Sequence, residues 1–220
     1  MSRPQPPAEN GLMLRLSGIH AGYKHGPLIL RDFNLNLPAG AGYCLSGPSG
    51  LGKTTILMVA AGLLPPRSGR VFNASQRSAF VFQDDRLLPW LDVEANLTFA
   101  LSGNFIQSDA LARSRRWLDR FGLSNHAHKR PSALSGGMRR RVNIARAMAM
   151  EPDLLLLDEP FSFLDKAMVQ TCAEAIHSWR QQQHGSILAI SHDLPIMTAL
   201  GLQICTIAGT PITGTAEPAA

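Results

Sequence analysis

A glycine-rich segment in the first quarter of the chain has the residue types and spacing needed to hold a chain of phosphates. Residues 47–54 read Gly-Pro-Ser-Gly-Leu-Gly-Lys-Thr, which fits the pattern G-x-x-x-x-G-K-[ST] between a short apolar strand and a helix. Glycines allow backbone N–H groups to turn toward phosphate oxygens, and the helix start adds its positive dipole end. Lys53 can reach the β- and γ-phosphates, and the Thr54 hydroxyl can coordinate Mg²⁺. The segment predicts a nucleoside triphosphate site, and the expected ligand is ATP. The expected phosphate-binding residues are Gly47, Pro48, Ser49, Gly50, Leu51, Gly52, Lys53, Thr54 and Thr55.

A second candidate site is an apolar strand, residues 154–157, that runs into Asp158 and Glu159. In a parallel sheet this strand can lie beside the strand at 42–46, so that both carboxyl ends face one crevice. Asp158 would then help to hold Mg²⁺, and Glu159 could polarise an attacking water. The alternative for this segment is a strand that merely ends in acidic residues at the surface. The alternative for the phosphate loop is a glycine-rich turn with a chance Lys-Thr. The phosphate loop alone does not identify the reaction, because kinases, GTPases and motor proteins share it.

The elements that must position these residues follow from hydrophobic periodicity. Strands are predicted over residues 12–19, 28–37, 42–46, 70–72, 78–82, 154–157 and 186–191. Helices are predicted over residues 54–64, 93–101, 109–121, 135–150 and 166–183, the first ending at Pro65 and Pro66. Antiparallel strands come first and alternating strands and helices follow, which predicts an α/β core with a mostly parallel sheet, an antiparallel β edge subdomain and a helical insert. We expect flexible segments at 1–11 and 213–220 around a domain at 12–212.

Composition excludes several classes of protein. The chain has 220 residues, a net charge of +5, and no apolar run near the length of a membrane-spanning helix. Its start has no apolar stretch of the signal-peptide type. Cys44, Cys172 and Cys205 are interpreted as buried thiols in a reducing compartment. Basic residues are scattered except for residues 139–141, all arginine, so a solvated basic face is favoured over nucleic-acid binding.

Residues 134–138, Leu-Ser-Gly-Gly-Met, resemble the signature motif of ATP-binding cassette (ABC) ATPases, usually written LSGGQ. A long helix follows this segment, and the acidic strand end comes shortly after, as in that family. The resemblance covers residues 12–200 and implies a P-loop NTPase fold with the signature in a helical subdomain at about 90–140. It also implies that Ser135, Gly136 and Gly137 contact the ATP of a second copy in a head-to-tail homodimer.

Further family elements occur in order along the chain. The resemblance implies that Tyr23 stacks on adenine, that Gln83 senses Mg²⁺ and the water, and that His192 lies near the γ-phosphate. Glu159, His192 and Gln83 are thus the expected catalytic residues, and Thr54, Gln83 and Asp158 the expected metal ligands. Residues 162–165, Ser-Phe-Leu-Asp, resemble the D-loop, with Phe163 in place of the usual Ala. Met138 replaces the usual Gln, which predicts slower turnover or altered coupling.

The stretch 82–90 resembles the corresponding segment of nitrate, sulfonate and taurine importers, where it meets the membrane subunit. Leu87, Leu88 and Trp90 form a candidate partner surface, or else they pack into the domain. The resemblance implies an ATPase subunit for import of a small solute, with permease subunits and a periplasmic binding protein as partners and a peripheral location on the cytoplasmic face of the inner membrane. The alternatives are an ABC ATPase acting on DNA or ribosomes and a small-molecule kinase.

Overall fold

The computed structural model describes residues 11–24 and 26–218, which form nine strands and six α-helices in that part of the chain. The predicted flexible segment at 1–11 lies outside the described residues except for Gly11. The strands are β1 (Leu12–Ala21), β2 (Leu30–Pro38), β3 (Gly42–Ser46), β4 (Ser68–Asn73), β5 (Ser78–Val81), β6 (Leu154–Asp158), β7 (Ser186–Ile190), β8 (Gln203–Thr206) and β9 (Ile212–Ala216). The helices are α1 (Lys53–Ala60), α2 (Val93–Leu101), α3 (Gln107–Arg120), α4 (Gly136–Ala149), α5 (Lys166–Gln183) and α6 (Leu194–Ala199).

Two sheets carry the fold. One sheet has the order β4-β1-β2-β9, in which β1 pairs antiparallel with β2 and β4 while β2 pairs parallel with β9. The other has the order β5-β6-β7-β3-β8, and all four of its pairings are parallel. The carboxyl ends of β3, β5, β6 and β7 therefore lie along the same edge of the parallel sheet. This confirms the predicted α/β class with an antiparallel edge.

The parallel sheet is buried on both faces, as its apolar strands predict. On β6, Leu154 and Leu156 pack with α1 and the antiparallel sheet, whereas Leu155 and Leu157 pack with the helical layer on the other face. This alternation follows from the two-residue period of a strand. Helices α2, α3, α4 and α5 contribute to that second core, and no helix in the described part of the chain is long and apolar enough to cross a bilayer.

Among the boundaries that differ from the prediction, two have a clear physical reason. Helix α1 ends at Ala60 rather than Leu64, because Gly62 adopts a left-handed conformation (φ 70°) and the N–H groups of Leu63 and Leu64 both bond back to Met58 O. The expected flexible tail is wrong for residues 213–216, since these belong to β9 and pair with β2.

The predicted neighbour relation of β6 and β3 is also wrong. Strand β7 lies between them and pairs with both. The carboxyl ends of β3 and β6 still lie at the same edge, because all the strands of this sheet are parallel.

The three cysteines are free and buried, as predicted. Burial raises the pKa of Cys44 and of Cys172 to about 12 and that of Cys205 to about 11. The thiols are therefore protonated at neutral pH and take no part in the chemistry considered below.

Candidate nucleotide site

The phosphate loop connects the end of β3 to the start of α1. Gly50 and Gly52 have positive φ angles of 77° and 101°, which a glycine adopts without a Cβ clash. A Cβ atom at Gly47 would collide with the carbonyl oxygen of Ile207, and one at Gly52 would collide with the Ile29 side chain. The pattern of glycines is therefore required by close packing as well as by the turn.

Lys53 lies over this loop and is only 6% exposed. Its Nζ atom donates to the carbonyl oxygens of Gly47 at 2.6 Å and Pro48 at 2.8 Å. The ammonium is thus held at the concave side of the loop, where it could exchange these carbonyls for phosphate oxygens.

Thr54 and Asp158 form the contact between the phosphate loop and the acidic strand end. Thr54 Oγ1 donates to Asp158 Oδ2 across 2.8 Å. Burial raises the pKa of Asp158, while the Thr54 hydrogen bond and the charges of Arg140, Lys53 and Arg86 act in the opposite direction. A hydroxyl beside one carboxylate suits Mg²⁺, which usually takes its other ligands from substrate phosphates and water. The described residues include no group of three or more His, Cys, Asp or Glu that could hold a metal alone.

Glu159 and His192 lie close together at the same sheet edge. The backbone N–H of His192 is 3.4 Å from Glu159 Oε2, and its Nε2 is 3.6 Å from Glu159 Oε1. The same Nε2 lies 3.2 Å from Ser49 Oγ in the phosphate loop. Three separate segments of the chain thus meet around the place where the loop would present a terminal phosphate.

The carboxyl group of Glu159 has the environment expected of a general base. Burial raises the pKa of Glu159, partly offset by the backbone N–H and the charge of His192. Its Oε1 atom is buried and makes no hydrogen bond within the described residues, which leaves one acceptor of the carboxyl group without a partner. The Glu159 backbone has a positive φ of 46°, which costs a non-glycine residue energy and needs support from its surroundings.

Other predicted site residues do not join this cluster. Tyr23 lies in the turn after β1 with its side chain 50% exposed. The Gln83 side chain is exposed and makes no hydrogen bond among the described residues. Ser135 caps α4 by accepting from the Met138 N–H at 3.2 Å, and within residues 11–24 and 26–218 no hydrogen bond joins 135–137 to the phosphate loop.

The signature segment instead contacts the D-loop segment of its own chain. A Cβ atom at Gly137 would lie 3.0 Å from the carbonyl oxygen of Phe163, so only glycine fits there without displacement. Met138 is partly buried against the core. Phe163 has a positive φ of 66° and a side chain that is 82% exposed.

Only part of the candidate partner surface at Leu87, Leu88 and Trp90 is exposed to solvent. Leu87 packs against the core, and the backbone of Leu88 pairs with the buried Asn96 side chain, whereas Trp90 is 66% exposed. The next residue, Leu91, lines a groove of ≈ 460 Å³, hereafter the α2–α3 groove, whose walls also include Ala95, Phe99 and Phe105.

Arg140 is a site residue that the sequence reasoning missed. The solvated basic face predicted for residues 139–141 is wrong at Arg140, which is 0% exposed. Its guanidinium contacts the segment after β5, the end of β6 and the segment after β6. Asn143 and Ala147 are also buried and lie three and seven residues further along α4, so helical spacing was the signal that could have indicated the burial of Arg140.

Comparison with known proteins agrees with this geometry. The family model described as ABC transporter matches residues 30–162. An aliphatic sulfonates import ATP-binding protein of Pseudomonas savastanoi pv. phaseolicola is 37% identical over 196 residues, which cover 87% of this chain and 79% of that protein. A taurine import ATP-binding protein of Yersinia pestis is 36% identical over 207 residues, covering 90% and 81%.

Among solved structures, a dimeric ATP-binding cassette in a post-hydrolysis state with ADP and Pi superposes with a TM-score of 0.82 at 26% identity, covering 93% of this chain and 97% of that one. The chain belongs to the ABC transporter family, as one of its ATP-binding and ATP-hydrolysing members.

Proposed function

We propose that this chain is the ATPase subunit of an ABC importer and works as a homodimer attached to a membrane permease. The main observation in favour of a dimer is the position of the signature segment. Ser135 caps α4 next to the D-loop segment and makes no hydrogen bond to the phosphate loop within the described chain. A helix start with free N–H groups is suited to phosphate, and a second copy would supply it. The dimeric relative supports this arrangement.

In the proposed mechanism, water attacks the γ-phosphate in line with the leaving ADP. The Glu159 carboxylate accepts the proton, and His192 holds this carboxyl group and contacts the phosphate loop through Ser49. Lys53 moves from the loop carbonyls to the phosphates and offsets the charge that develops on them. Mg²⁺, when bound by Thr54, Asp158 and Gln83, would neutralise charge on the β- and γ-phosphates.

The proposed permease contact is Trp90 together with the α2–α3 groove. Large apolar side chains on a polar surface favour a protein partner, and Phe99, at 62% exposed, extends the patch. An amphipathic helical segment of the permease fits a groove of this kind.

The relatives' names favour a small organic sulfonate as the cargo. In the proposed system a separate periplasmic binding protein would deliver it. This chain would then lie on the cytoplasmic face of the inner membrane, held there by the permease. The cargo would touch the permease and the binding protein but not this chain.

Membrane fractionation and co-purification test the proposal. The tagged chain should be recovered with membranes and bring down a multi-spanning permease, and deletion of its gene should abolish growth on a sulfonate as the sole sulfur source. Recovery with ribosomes or DNA in place of a permease would refute the importer function and leave the ATPase assignment intact.

A further inference from the structure

The Nη1 atom of Arg140 is bound to the segment that follows β5. It donates to the carbonyl oxygens of Phe82 and Gln83, the latter at 3.1 Å, and it lies 3.8 Å from Asp85 Oδ1. Asn143 also donates to Phe82 O, at 3.1 Å, from the next turn of α4. The backbone around Gln83 is therefore attached to the helix that begins with the signature motif.

The Nη2 atom is bound to the end of β6 and to the segment that follows it. It donates to the carbonyl oxygens of Asp158, at 3.1 Å, and Glu159, and to the Ser162 hydroxyl at 3.1 Å. The Ser162 hydroxyl itself donates to Glu159 O across 3.0 Å. The left-handed backbone of Glu159 thus has two donors on its carbonyl oxygen.

These contacts compensate for the burial of a charge. An arginine stays protonated in proteins, so an uncompensated buried guanidinium would be strongly destabilising. Charge-assisted hydrogen bonds to carbonyls, together with the nearby Asp85 carboxylate, offset that cost. The planar fork of arginine can reach both segments at once, whereas a lysine ammonium is a single point of attachment.

We propose that Arg140 is a positioning residue for ATP hydrolysis, which fixes the backbone of Glu159 and Gln83 relative to the signature helix. The proposal rests on the proposed role of Glu159 as the base. A displacement of the Glu159 carboxylate by an ångström would slow proton transfer while leaving the phosphate loop able to bind ATP. Within the described residues no hydrogen bond joins Arg140 to the phosphate loop, so it acts through the two segments it joins.

The test compares Arg140→Gln and Arg140→Lys with a matched control, Arg180→Gln. Arg180 is a half-buried arginine that, like Arg140, donates to three or more backbone carbonyls, in its case those of Leu200, Gly201 and Gly40, at the far end of α5. We expect both glutamine variants to lower Tm. Only the Arg140 variants should lower kcat, by about 10- to 100-fold, with KM and the Kd for ATP within about twofold of wild type. A folded Arg140→Gln protein with normal kcat, or an equal fall in kcat for Arg180→Gln, would overturn the proposal.

A second set of variants separates this proposal from the role of Glu159. Arg140→Gln should not slow the residual rate of Glu159→Gln further, because the base it positions is already absent. An equal loss in both backgrounds would show a general structural effect and refute positioning. Normal hydrolysis by Glu159→Gln would refute the base role itself and the positioning role with it.

Ser162→Ala provides the same test if Arg140→Gln does not fold. It removes one donor to Glu159 O without leaving a buried charge, and it should lower kcat with little change in Tm. A Ser162→Ala protein with wild-type kcat would contradict the proposal.

Discussion

Thr54 Oγ1 donates a hydrogen bond of 2.8 Å to Asp158 Oδ2, which joins the first helix of the chain to the acidic end of β6. The two residues are 104 positions apart in sequence, and strands β3 and β6 are not neighbours in the sheet. Their contact depends on all strands of the row ending at one edge. The hydroxyl and carboxylate together form an oxygen-rich part of the site.

We predict that Asp158→Asn abolishes Mg²⁺-dependent hydrolysis while metal-free ATP binding is retained. The amide keeps the size of the side chain and can still accept from Thr54, but it lacks the charge that favours a divalent cation. Removing a carboxylate whose pKa is raised by burial should not lower Tm. Binding of a fluorescent ATP analogue with and without Mg²⁺ measures this, and an unchanged Mg²⁺ dependence would exclude Asp158 as a ligand.

Glu159→Gln should bind ATP, form the dimer and hydrolyse ATP at least about 100-fold more slowly, since general-base catalysis contributes 10²- to 10⁴-fold. The pH dependence of the wild-type rate gives an independent measurement. Burial raises the pKa of Glu159, so its ionised fraction, and with it kcat, should rise with pH through a midpoint above that of an ordinary glutamate.

The residual hydrolysis rate of Glu159→Gln should lack this acid limb, that is, the fall of kcat at low pH. If the limb persists in the variant, another group is titrating, and the base assignment fails even if the rate is lower.

The parts of this protein that local sequence determines were predicted well. The β3–loop–α1 unit and helices α2 and α5 follow from patterns within a few turns of chain, and their starts are at or within one residue of the predicted ones. The order of strands was not predictable in this way, because the insertion of β7 between β6 and β3 depends on pairing between distant segments.

Two further errors have related causes. Strand β9 has a weak apolar signal, since only Ile212 and Ala216 are buried and exposed residues 213–215 lie between them. Arg140 was expected in solvent because arginine is rarely buried without partners, and its partners come from the segments after β5 and β6. Both errors concern partners from distant segments: helical spacing in α4 could indicate that Arg140 is buried, but not which carbonyl groups it contacts.

We predict that Trp90→Ala weakens permease binding without affecting the isolated chain. Because Trp90 is largely exposed, the free energy of unfolding should change by no more than about 0.5 kcal/mol, and Tm should change little. ATP hydrolysis by the isolated chain should be normal. Loss of an aromatic anchor typically costs at least about 2 kcal/mol of binding energy, or roughly 30-fold in affinity. Co-purification with the permease checks this, with Leu63→Ala, another exposed apolar residue, as the control. Equal recovery of the permease by both variants would place the contact elsewhere.

Phe163 is the most exposed of the large apolar side chains described, and the proposed dimer explains why it can be so. The Phe163 carbonyl lies against Gly137, so the side chain stands beside the signature segment that the second copy would cover. Phe163→Asp should therefore weaken ATP-dependent dimerisation of the Glu159→Gln chain by about 10-fold or more, since a desolvated carboxylate at such a seam is unfavourable. The Tm and the ATP affinity of the monomer should be unchanged, because the side chain makes little contact within its own chain. Sedimentation with and without ATP measures the dimer, and Leu63→Asp controls for charge on an exposed apolar site. A Phe163→Asp chain that dimerises as well as this control would show that the D-loop aromatic lies outside the dimer interface.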